Sequence, residues 1–413
     1  MLKNNLAYKI DSFKKEGQFW TSEQRKMHPI HYSISYRASF KPELPNFFIS
    51  RYLDGKNKVI LDPFSGRGTT VLQANIMGYR AIHNDLSPVS YFIVKARQYI
   101  PSYEEFINRL NQIDFKKDRQ EPSEEEKDRF YCFFHPETFK EILNLRKEYF
   151  KYPEDLVLRY IIFVALSRLH GHSDGFFSVY TFPQFSVLPD AQKKNNSKRK
   201  TKIFYKDIKS RILKKYISDH KKPLPEKYKI SKYNEYYQLD SRNMYLIRDN
   251  SVDLIITSPP FLDKVNYKQD NWLRAWFLGV EEELIQLPLG IYSSLEEWKK
   301  FMVESIKEMI RVVKPGGRIV IEVGEVKYKN QIIYLEDIIS QIVAENFSNV
   351  YVDEILINNQ SFSKLSNCWR VENNKKGTNT NRCIVLKKYY QNFNIINIDY
   401  NRKIHYTKKL LNV

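Results

Sequence analysis

Short apolar runs that end in glycine or proline turns recur in two separate stretches of the chain. In the first, the apolar run Val59–Asp62 is closed by the turn PFSGRG, and the segment TTVLQANIMG has helical spacing that ends at Gly78. The segment Tyr79–Asp85 has the pattern of a second short strand, and helical spacing follows it as far as Ile100. This order of elements predicts the opening of a doubly wound α/β sheet.

The second stretch, from Tyr236 to Val326, repeats this alternation. The run SVDLIITSPP predicts a strand that enters a rigid turn, Leu284–Val313 contains helical segments, and PGGRIVIEVGEV predicts a glycine turn followed by a strand. The segment NRCIVLKK, further along, predicts one more strand. The fold class indicated by both stretches is α/β, with a doubly wound Rossmann-like sheet that is interrupted in the middle.

The interruption, from Pro101 to Asn234, has two parts of different character. The segments SYEEFINRLNQI, HPETFKEILNLRKEYF and VLRYIIFVALSRL have apolar residues at helical spacing. From Lys193 to Lys229 there are fifteen Lys or Arg against three Asp or Glu, with aromatic residues between them. Such a run is either a solvated face or, beside a nucleotide-type site, a contact with a nucleic-acid backbone.

The charge of the whole chain supports the second interpretation. The 413 residues carry a formal charge of +19, which favours a polyanionic partner such as nucleic acid or an acidic membrane surface. A biased genome could also enrich lysine without any function. The longest apolar run, Val157–Leu169, contains Arg159 and is shorter than the roughly 20 residues of a membrane span. We therefore expect no membrane span.

The N-terminal segment and the cysteines indicate the cellular compartment in which the protein is expected. MLKNNLAYKIDSFKKEG has no apolar core followed by a small-residue cleavage site, so the sequence predicts a cytoplasmic protein. Cys132, Cys368 and Cys383 are scattered and lack CxxC spacing. This spacing argues against a disulfide framework and against a structural zinc site.

The first constellation with chemical meaning is DPFSGRGTT, from Asp62 to Thr70, between a strand and a helix. Glycines let the backbone turn sharply and approach a ligand, and free N–H groups at a helix start favour a carboxylate or phosphate. Asp85 ends the next strand, where a carboxylate can accept hydrogen bonds from both hydroxyls of a ribose. No GxxxxGK[ST] follows, so the pattern favours a nucleoside cofactor over a triphosphate.

The second constellation is Thr257-Ser258-Pro259-Pro260-Phe261, directly after the strand VDLIIT. Two consecutive prolines remove two N–H donors and restrict the backbone, which holds the carbonyls near Ser258 and Pro259 without a local partner. A carbonyl and a hydroxyl are the acceptors that an exocyclic amine needs, and Phe261 offers a flat face on which a base can stack.

Together, DPFSGRGTT and TSPPF resemble the amino-methyltransferase class of DNA methyltransferases, with their F-x-G-x-G cofactor motif and [DNS]-P-P-[YFW] catalytic motif. The resemblance implies S-adenosylmethionine as cofactor and a flipped-out base as substrate. The upstream segment HYSISYRASFKPELPNFFISRYL is similar to the motif that closes over the methionine end of the cofactor. The cofactor-binding residues implied by the resemblance are Phe40, Pro42, Asp62, Phe64, Ser65, Gly66, Gly68, Thr69, Thr70, Asp85, Leu86 and Asp240; the catalytic residues are Ser258, Pro259, Pro260 and Phe261.

The resemblance also implies a division of the chain. We expect an N-terminal extension at 1–27, a cofactor-binding half at 28–100, a helical and basic insertion for target recognition at 101–234, a catalytic half at 235–390 and a tail at 391–413. Within the insertion, Lys198, Arg199, Lys200 and Lys202 are the candidates for contact with DNA.

Two target bases are compatible with the motifs. The serine form of the catalytic motif resembles the cytosine-N4 branch, whereas the order of the two motifs, with the cofactor motif first, departs from many cytosine-N4 enzymes. Adenine N6 is therefore the alternative target. Cytosine-C5 chemistry is disfavoured because it needs a cysteine nucleophile after a proline, and none of the three cysteines has that context.

The resemblance implies double-stranded DNA as partner, with a cognate restriction endonuclease in a restriction-modification system, and no metal. An RNA guanine-N2 methyltransferase and a non-catalytic nucleic-acid-binding subunit are the other classes considered. His170–Asp174 could be drawn as a metal site, but its spacing matches no standard pattern and favours a polar loop. Trp272, Trp276 and Phe277 have helical spacing, which indicates packing against the sheet.

Overall fold

The computed structural model of the protein describes residues 13–21, 26–116, 121–260, 266–289, 292, 294–328, 331–360 and 380–390. Its strands are β1 (Lys14–Gly17), β2 (Val59–Asp62), β3 (Arg80–Asn84), β4 (Glu235–Tyr237), β5 (Val252–Thr257), β6 (Val313–Val323), β7 (Glu325–Tyr328), β8 (Gln331–Tyr334), β9 (Val350–Asn359) and β10 (Thr380–Lys388).

The helices lie between these strands. They are α1 (Glu43–Tyr52), α2 (Thr69–Met77), α3 (Pro88–Lys95), α4 (Tyr103–Gln112), α5 (Glu124–Phe130), α6 (Pro136–Lys151), α7 (Leu156–Arg168), α8 (Pro189–Arg199), α9 (Ile208–Asp219), α10 (Tyr267–Leu278), α11 (Glu281–Gln286), α12 (Leu295–Val312) and α13 (Leu335–Asn346). Two 3₁₀ helices, at Pro29–Tyr32 and Glu226–Tyr233, complete the described elements.

A central sheet organises the molecule. Over the described residues it has eight strands in the order β1-β9-β10-β6-β5-β2-β3-β4. The pairings of β10 with β6 and β9 are antiparallel, and the other pairings in this sheet are parallel. The chain winds outward from β2 in both directions, so a topological switch point lies between β2 and β5. The expected doubly wound Rossmann-like sheet is confirmed.

Both faces of the sheet are covered. In β5, Leu254 and Ile256 join an apolar core on one face, and Ile255 joins the core on the other. This alternation explains why the strand reads as a continuous apolar run in the sequence, since each face packs against helices. The strands that carry the site are therefore packed on both faces.

The interruption forms a helical layer with its own aromatic core. Phe106, Phe130, Phe139 and Phe163 are fully buried in it, and the core also includes side chains of α3 and α10. Trp272 and Trp276 of α10 are among these buried side chains, close to the rings of Phe130 and Phe139. Their spacing correctly predicted burial, but the expected packing against the sheet is wrong, because the insertion covers this side of α10. The insertion thus packs against the helix that follows the catalytic motif.

Residues 14–17, which we assigned to an N-terminal extension, form the edge strand β1. Lys14 pairs with Ile355 and Gly17 with Asn358, so β1 runs parallel to β9. The side chain of Asn358 also accepts hydrogen bonds from the backbone N–H groups of Phe19 and Trp20. This segment is part of the sheet, although its charged sequence gave no strand signal.

Candidate active site

A cleft lies at the carboxyl ends of β2, β3, β4 and β5, on the switch point of the sheet. It encloses about 910 Å³ of space, part of it open to solvent. Pro63 follows β2, Asp85 follows β3, Leu239 follows β4 and Ser258 follows β5, and all of them line the cleft. Because parallel strands end at one edge, residues far apart in the chain meet there.

The glycine turn after β2 forms the floor of the cleft. Gly66 has φ +51° and Gly68 has φ +77°, which are backbone conformations that favour glycine. The turn is closed by a hydrogen bond from Gly68 N to the Ser65 carbonyl at 2.7 Å and tied to β3 by Ser65 N to the Asn84 carbonyl at 3.1 Å. The Val94 side chain packs directly on Gly68, so no side chain fits there.

Asp85 presents a carboxylate to the same part of the cleft. Its oxygens accept hydrogen bonds from Gly66 N at 2.7 Å and Ser87 N at 2.9 Å. Burial raises the pKa of Asp85, although these N–H groups oppose the shift. The hydroxyl of Ser65, buried beside it, has no hydrogen-bond partner within the described residues. An acceptor pair and an unpaired hydroxyl at one point fit a polar ligand.

Asp240 lies at the other side of the cleft, after β4. Its carboxylate accepts a bidentate hydrogen bond from Arg242. Burial alone would raise the pKa of Asp240, but the contact with Arg242 holds that pKa below its usual value. Asn84 fixes the loop by exchanging two hydrogen bonds with the backbone of Leu239, each 3.0 Å long. Phe301 lines the wall near Arg242, its ring centroid 6.0 Å from the guanidinium.

Asp62 does not line the cleft but supports it from below. Its side chain is 1% exposed and accepts hydrogen bonds from Thr257 Oγ1 at 2.7 Å and Phe64 N at 3.2 Å. Burial raises the pKa of Asp62 to about 7. The carboxyl group therefore joins the end of β2 to the end of β5, the two strands that carry the cofactor-type and catalytic motifs.

Ser258 is the first residue of the catalytic motif that faces the cleft. Its hydroxyl donates a hydrogen bond of 2.7 Å to Glu322 Oε2, and Asn381 Nδ2 donates to the other oxygen at 3.1 Å. Burial raises the pKa of Glu322, and the hydrogen bonds from Ser258 and Asn381 limit the shift. Since the serine proton is directed to Glu322, the lone pairs of the serine oxygen remain available as acceptors.

The two prolines differ in position. Pro260 lines the cleft, and its carbonyl accepts a hydrogen bond of 2.9 Å from Trp298 Nε1, whereas Pro259 is buried under the turn. No hydrogen bond to the Pro259 carbonyl forms within the part of the chain that the structure describes. Phe261, the last catalytic candidate, lies outside the described residues.

The structure brings most of the predicted residues together. The predicted residues that line the cleft are Phe40, Phe64, Ser65, Gly66, Thr69, Asp85, Leu86, Asp240, Ser258 and Pro260. Those that do not are Pro42, Asp62, Gly68, Thr70 and Pro259. Sequence reasoning missed Tyr36, Arg37 and Tyr267, which also line the cleft, and Glu322 behind it. Glu322 could have been predicted from the sequence, because an acidic residue within an apolar strand is expected to need a buried polar partner.

The DNA-contact candidates lie at the end of α8 and just beyond it. Lys198, Arg199, Lys200 and Lys202 are all exposed, which leaves their charges accessible to a polyanion. The Arg199 guanidinium lies 4.2 Å from the ring centroid of Tyr180. No helix of the described residues is long and apolar enough to span a membrane, and no group of three metal-ligating side chains occurs among them.

Two family descriptions match the chain. The one described as "RMKL-like, methyltransferase domain" matches residues 34–275, and the one described as "DNA methylase" matches residues 252–409. Similar curated proteins include the Type II methyltransferase M.BsoBI of Geobacillus stearothermophilus, 24% identical over 282 residues, which are 64% of this chain and 55% of that protein. The Type II methyltransferase M.AvaI of Nostoc sp. is 24% identical over 347 residues, 76% of this chain and 65% of that protein.

The chain thus spans little more than half the length of the first of these relatives. Among solved structures, a SAM-dependent methyltransferase from Methanosarcina mazei has a TM-score of 0.33 at 10% identity, with 83% of this chain and 98% of that chain covered. A DNA modification methylase from Thermus thermophilus, complexed with S-adenosylmethionine, has a TM-score of 0.23 at 19% identity, with 40% of this chain and 59% of that chain covered.

The sheet order and the cleft at its switch point define a Rossmann-like fold with a ligand site at the carboxyl ends of its strands. The chain belongs to the family described as RMKL-like methyltransferase domain, whose match covers residues 34–275, and residues 252–409 match the DNA methylase description. S-adenosylmethionine is the methyl donor of that family. The cleft fits it, because the Asp85 carboxylate and the buried Ser65 hydroxyl, which has no partner among the residues that the structure describes, lie where a nucleoside would need polar partners.

Proposed function

We propose that this protein is a DNA methyltransferase that transfers a methyl group from S-adenosylmethionine to an exocyclic amino group of a flipped-out base, with cytosine N4 favoured over adenine N6. One observation carries the proposal: Asp85, which holds the turn of the cofactor motif, and Ser258 of the catalytic motif line the same cleft. A nucleoside site thereby adjoins a set of acceptors suited to an amine. The relatives named Type II methyltransferases support a role in a restriction-modification system.

In this proposal each residue has a defined task in holding the cofactor. Asp85 accepts hydrogen bonds from the ribose hydroxyls, the glycine turn lets the backbone approach, and Asp240 lies near the adenine. Phe40 and Phe64 contribute apolar surface to the same cleft. Bound S-adenosylmethionine supplies an activated methyl group on a sulfonium.

The catalytic turn acts on the target amine. The Ser258 oxygen, which lines the cleft, accepts one amino hydrogen. The Pro259 carbonyl has no hydrogen-bond partner among the described residues but lies outside the cleft lining, so it would accept the second hydrogen only after a shift of the turn. These contacts draw the nitrogen lone pair out of conjugation with the ring. The amine must lose one proton as the new N–C bond forms. Ser258 Oγ takes that proton while its own proton passes to Glu322 Oε2, 2.7 Å away, which becomes a neutral carboxylic acid. The raised pKa of Glu322 suits this task.

The target nucleotide must first leave the duplex, because its amino group is unreachable while paired, at a cost of a few kcal/mol. Exposed cations on and after α8 would hold the DNA backbone meanwhile. Phe261 is expected to stack on the extruded ring, as the motif resemblance implies. The serine form of the motif favours cytosine, and adenine N6 remains the alternative target.

The test is a product analysis. Purified protein is incubated with S-adenosylmethionine and unmethylated duplex plasmid DNA, and the digested nucleosides are identified by mass spectrometry; total RNA is treated in parallel. We expect N4-methylcytosine with the wild type and a loss of at least a hundredfold in the Ser258→Ala variant. N6-methyladenine would retain the reaction but change the target base, and methylated guanosine in RNA alone would refute the proposal.

A further inference from the structure

A pair of aromatic rings lies in the segment 181–188, here called the aromatic loop, which contacts the cleft lining through Arg37. The rings of Phe182 and Phe185 are stacked, with centroids 4.9 Å apart and an interplanar angle of 17°. Phe182 is 45% exposed, although apolar side chains of this size usually pack in a core. The guanidinium of Arg37, which lines the cleft, lies 5.5 Å from the Phe185 ring centroid.

Buried side chains hold the backbone of this loop in place. His170 Nδ1 lies 2.8 Å from the Phe182 carbonyl and His170 Nε2 lies 3.3 Å from Ser186 Oγ, so both ring nitrogens are used. Burial lowers the pKa of His170 to about 3, which keeps the ring neutral. The polar loop that the sequence suggested at His170–Asp174 therefore starts with a buried clamp on the aromatic loop.

The helix after the catalytic motif provides the other clamps. From α10, Arg274 Nη2 donates to the Pro183 carbonyl at 3.2 Å and Trp272 Nε1 donates to the Val187 carbonyl at 3.2 Å. Ser186 N donates to the Asp270 carbonyl at 2.7 Å. Tyr267, the first residue of α10, lines the cleft. The aromatic loop and the cleft wall are thus fixed to one another through a single helix.

The surroundings indicate the chemistry of the partner. Next to the loop, Arg199 lies over the ring of Tyr180, and both side chains are exposed. Rigid exposed aromatic rings stack on nucleic-acid bases, and neighbouring cations favour the phosphates that flank those bases. Apolar side chains can also enter a base stack as a wedge. A duplex whose target nucleotide occupies the cleft would bring its base stack close to Phe182.

We propose that the aromatic loop contacts the base stack of duplex DNA beside the extruded nucleotide, with Phe182 filling the space which that nucleotide leaves. The proposal rests on the DNA methyltransferase function proposed above. Its consequence is energetic: Phe182 replaces the stacking that the duplex loses when the target base leaves. The loop thereby lowers the cost of extrusion, and it takes no part in methyl transfer itself.

The test compares Phe182→Ala with the wild type on two duplexes that contain a site mapped in methylated plasmid. One duplex is fully paired, and in the other the partner of the target nucleotide is abasic. Extrusion then breaks no base pair, and we expect it to be favourable enough that it no longer limits the rate, with or without the stacking that Phe182 supplies. We expect the variant to be slowed about tenfold on the paired duplex, a factor typical of one lost base–aromatic stack. On the abasic duplex we expect rates within about twofold, with unchanged affinity for S-adenosylhomocysteine.

Two further variants secure the interpretation. Phe182→Trp keeps a stacking ring and should restore the rate on the paired duplex. Tyr390→Ala removes a ring that is 60% exposed and packs on Gly316, near the amino end of β6, and should behave as the wild type. Equal rates for Phe182→Ala and the wild type on the paired duplex, or equal slowing on both duplexes, would overturn the inference. Absence of transfer by the wild type on the paired duplex would instead refute the proposed function.

Discussion

The hydroxyl of Ser258 donates a 2.7 Å hydrogen bond to the buried carboxylate of Glu322, which belongs to the neighbouring strand β6. This contact fixes the direction of the serine proton, and so leaves the lone pairs of the serine oxygen available as acceptors in the cleft. The residues of the catalytic motif are consecutive in the chain, but the orientation of its serine hydroxyl thus depends on a residue of another strand.

The first prediction concerns the charge of Glu322. Below its raised pKa the carboxyl would be protonated and could no longer accept the serine proton, so the rate should fall as pH falls. In Glu322→Gln the charge is absent at every pH, so we expect a rate reduced by about ten- to a hundredfold and a flattened acidic limb. The measurement is kcat against pH from 4.5 to 8.5.

A control separates this effect from a structural one. Affinity for S-adenosylhomocysteine should not change in Glu322→Gln, because Glu322 does not line the cleft. An acidic limb that persists unchanged in the variant would show that another group controls the pH dependence.

The second prediction concerns Asp85. Replacement by Asn removes the charged acceptor while the side-chain size is kept, so we expect the Kd for S-adenosylhomocysteine to rise by at least about tenfold, as for a lost charged hydrogen bond. Asp240→Asn should have a smaller effect, since the Asp240 carboxylate is already engaged by Arg242. Calorimetric titration measures both. Equal affinity for Asp85→Asn and the wild type would remove Asp85 from the cofactor site.

The third prediction uses two glycines with similar backbone angles. Gly68 has φ +77° and Gly55 has φ +79°, but a Cβ on Gly68 would lie 2.7 Å from Val94, whereas nothing lies within 4 Å at Gly55. An alanine at either position costs about 1 kcal/mol in backbone strain. Gly68→Ala should cost roughly 1–3 kcal/mol more through overpacking. Thermal unfolding of the two variants measures the difference, and equal shifts would contradict it.

The fourth prediction tests the basic face. Each phosphate contact releases counterions, so changing Lys198, Arg199 and Lys200 to Gln should reduce the slope of log Kd for duplex DNA against log salt by up to about 2.7. The matched control neutralises Lys56, Arg248 and Lys387, which lie near the amino ends of β2, β5 and β6, away from the cleft. The same change of slope in both triple variants would indicate non-specific charge.

The fifth prediction concerns His83, whose ring is buried in β3 between Tyr91 and Tyr236. Burial lowers the pKa of His83 to about 3, while in the unfolded chain it returns to 6.5. The unfolded state therefore binds the proton first, and stability is lost as pH falls below 6.5, by about 1.4 kcal/mol per pH unit. His83→Phe should make the melting temperature less sensitive to a change from pH 7.5 to 5.5; an unchanged sensitivity would contradict this.

The strands that carry the site could be predicted from the sequence because both faces of the sheet are covered. Runs such as Val59–Asp62 and Val252–Thr257 are continuous apolar segments for that reason. The strand β1 could not, since its sequence KKEG is charged and its partner is distant in the chain. Helix α9 had a usable signal in the spacing of its buried residues Ile208, Ile212 and Tyr216, but the surrounding lysines concealed it.

The site was predictable where turn chemistry alone defines it. The glycine turn and the paired prolines indicate where two parallel strands end. Because the carboxyl ends of parallel strands lie side by side, Asp85 and Ser258 could be expected to lie close together. Glu322 and the aromatic loop depend on hydrogen bonds between residues far apart in the chain, for example His170 with Phe182 and Arg274 with Pro183. Such contacts cannot be predicted from hydrophobic periodicity or from a local sequence motif.

The pairing of Lys14 with Ile355 has a consequence for biosynthesis. At typical translation rates, β1 leaves the ribosome roughly 20 to 70 seconds before its partner β9 is made. During that interval its backbone donors and acceptors are open to other chains. Three of its four residues, Lys14, Lys15 and Glu16, are charged, a composition that discourages pairing with foreign strands. The same charges that prevent prediction of this strand from the sequence therefore protect the nascent protein from aggregation until β9 is synthesised.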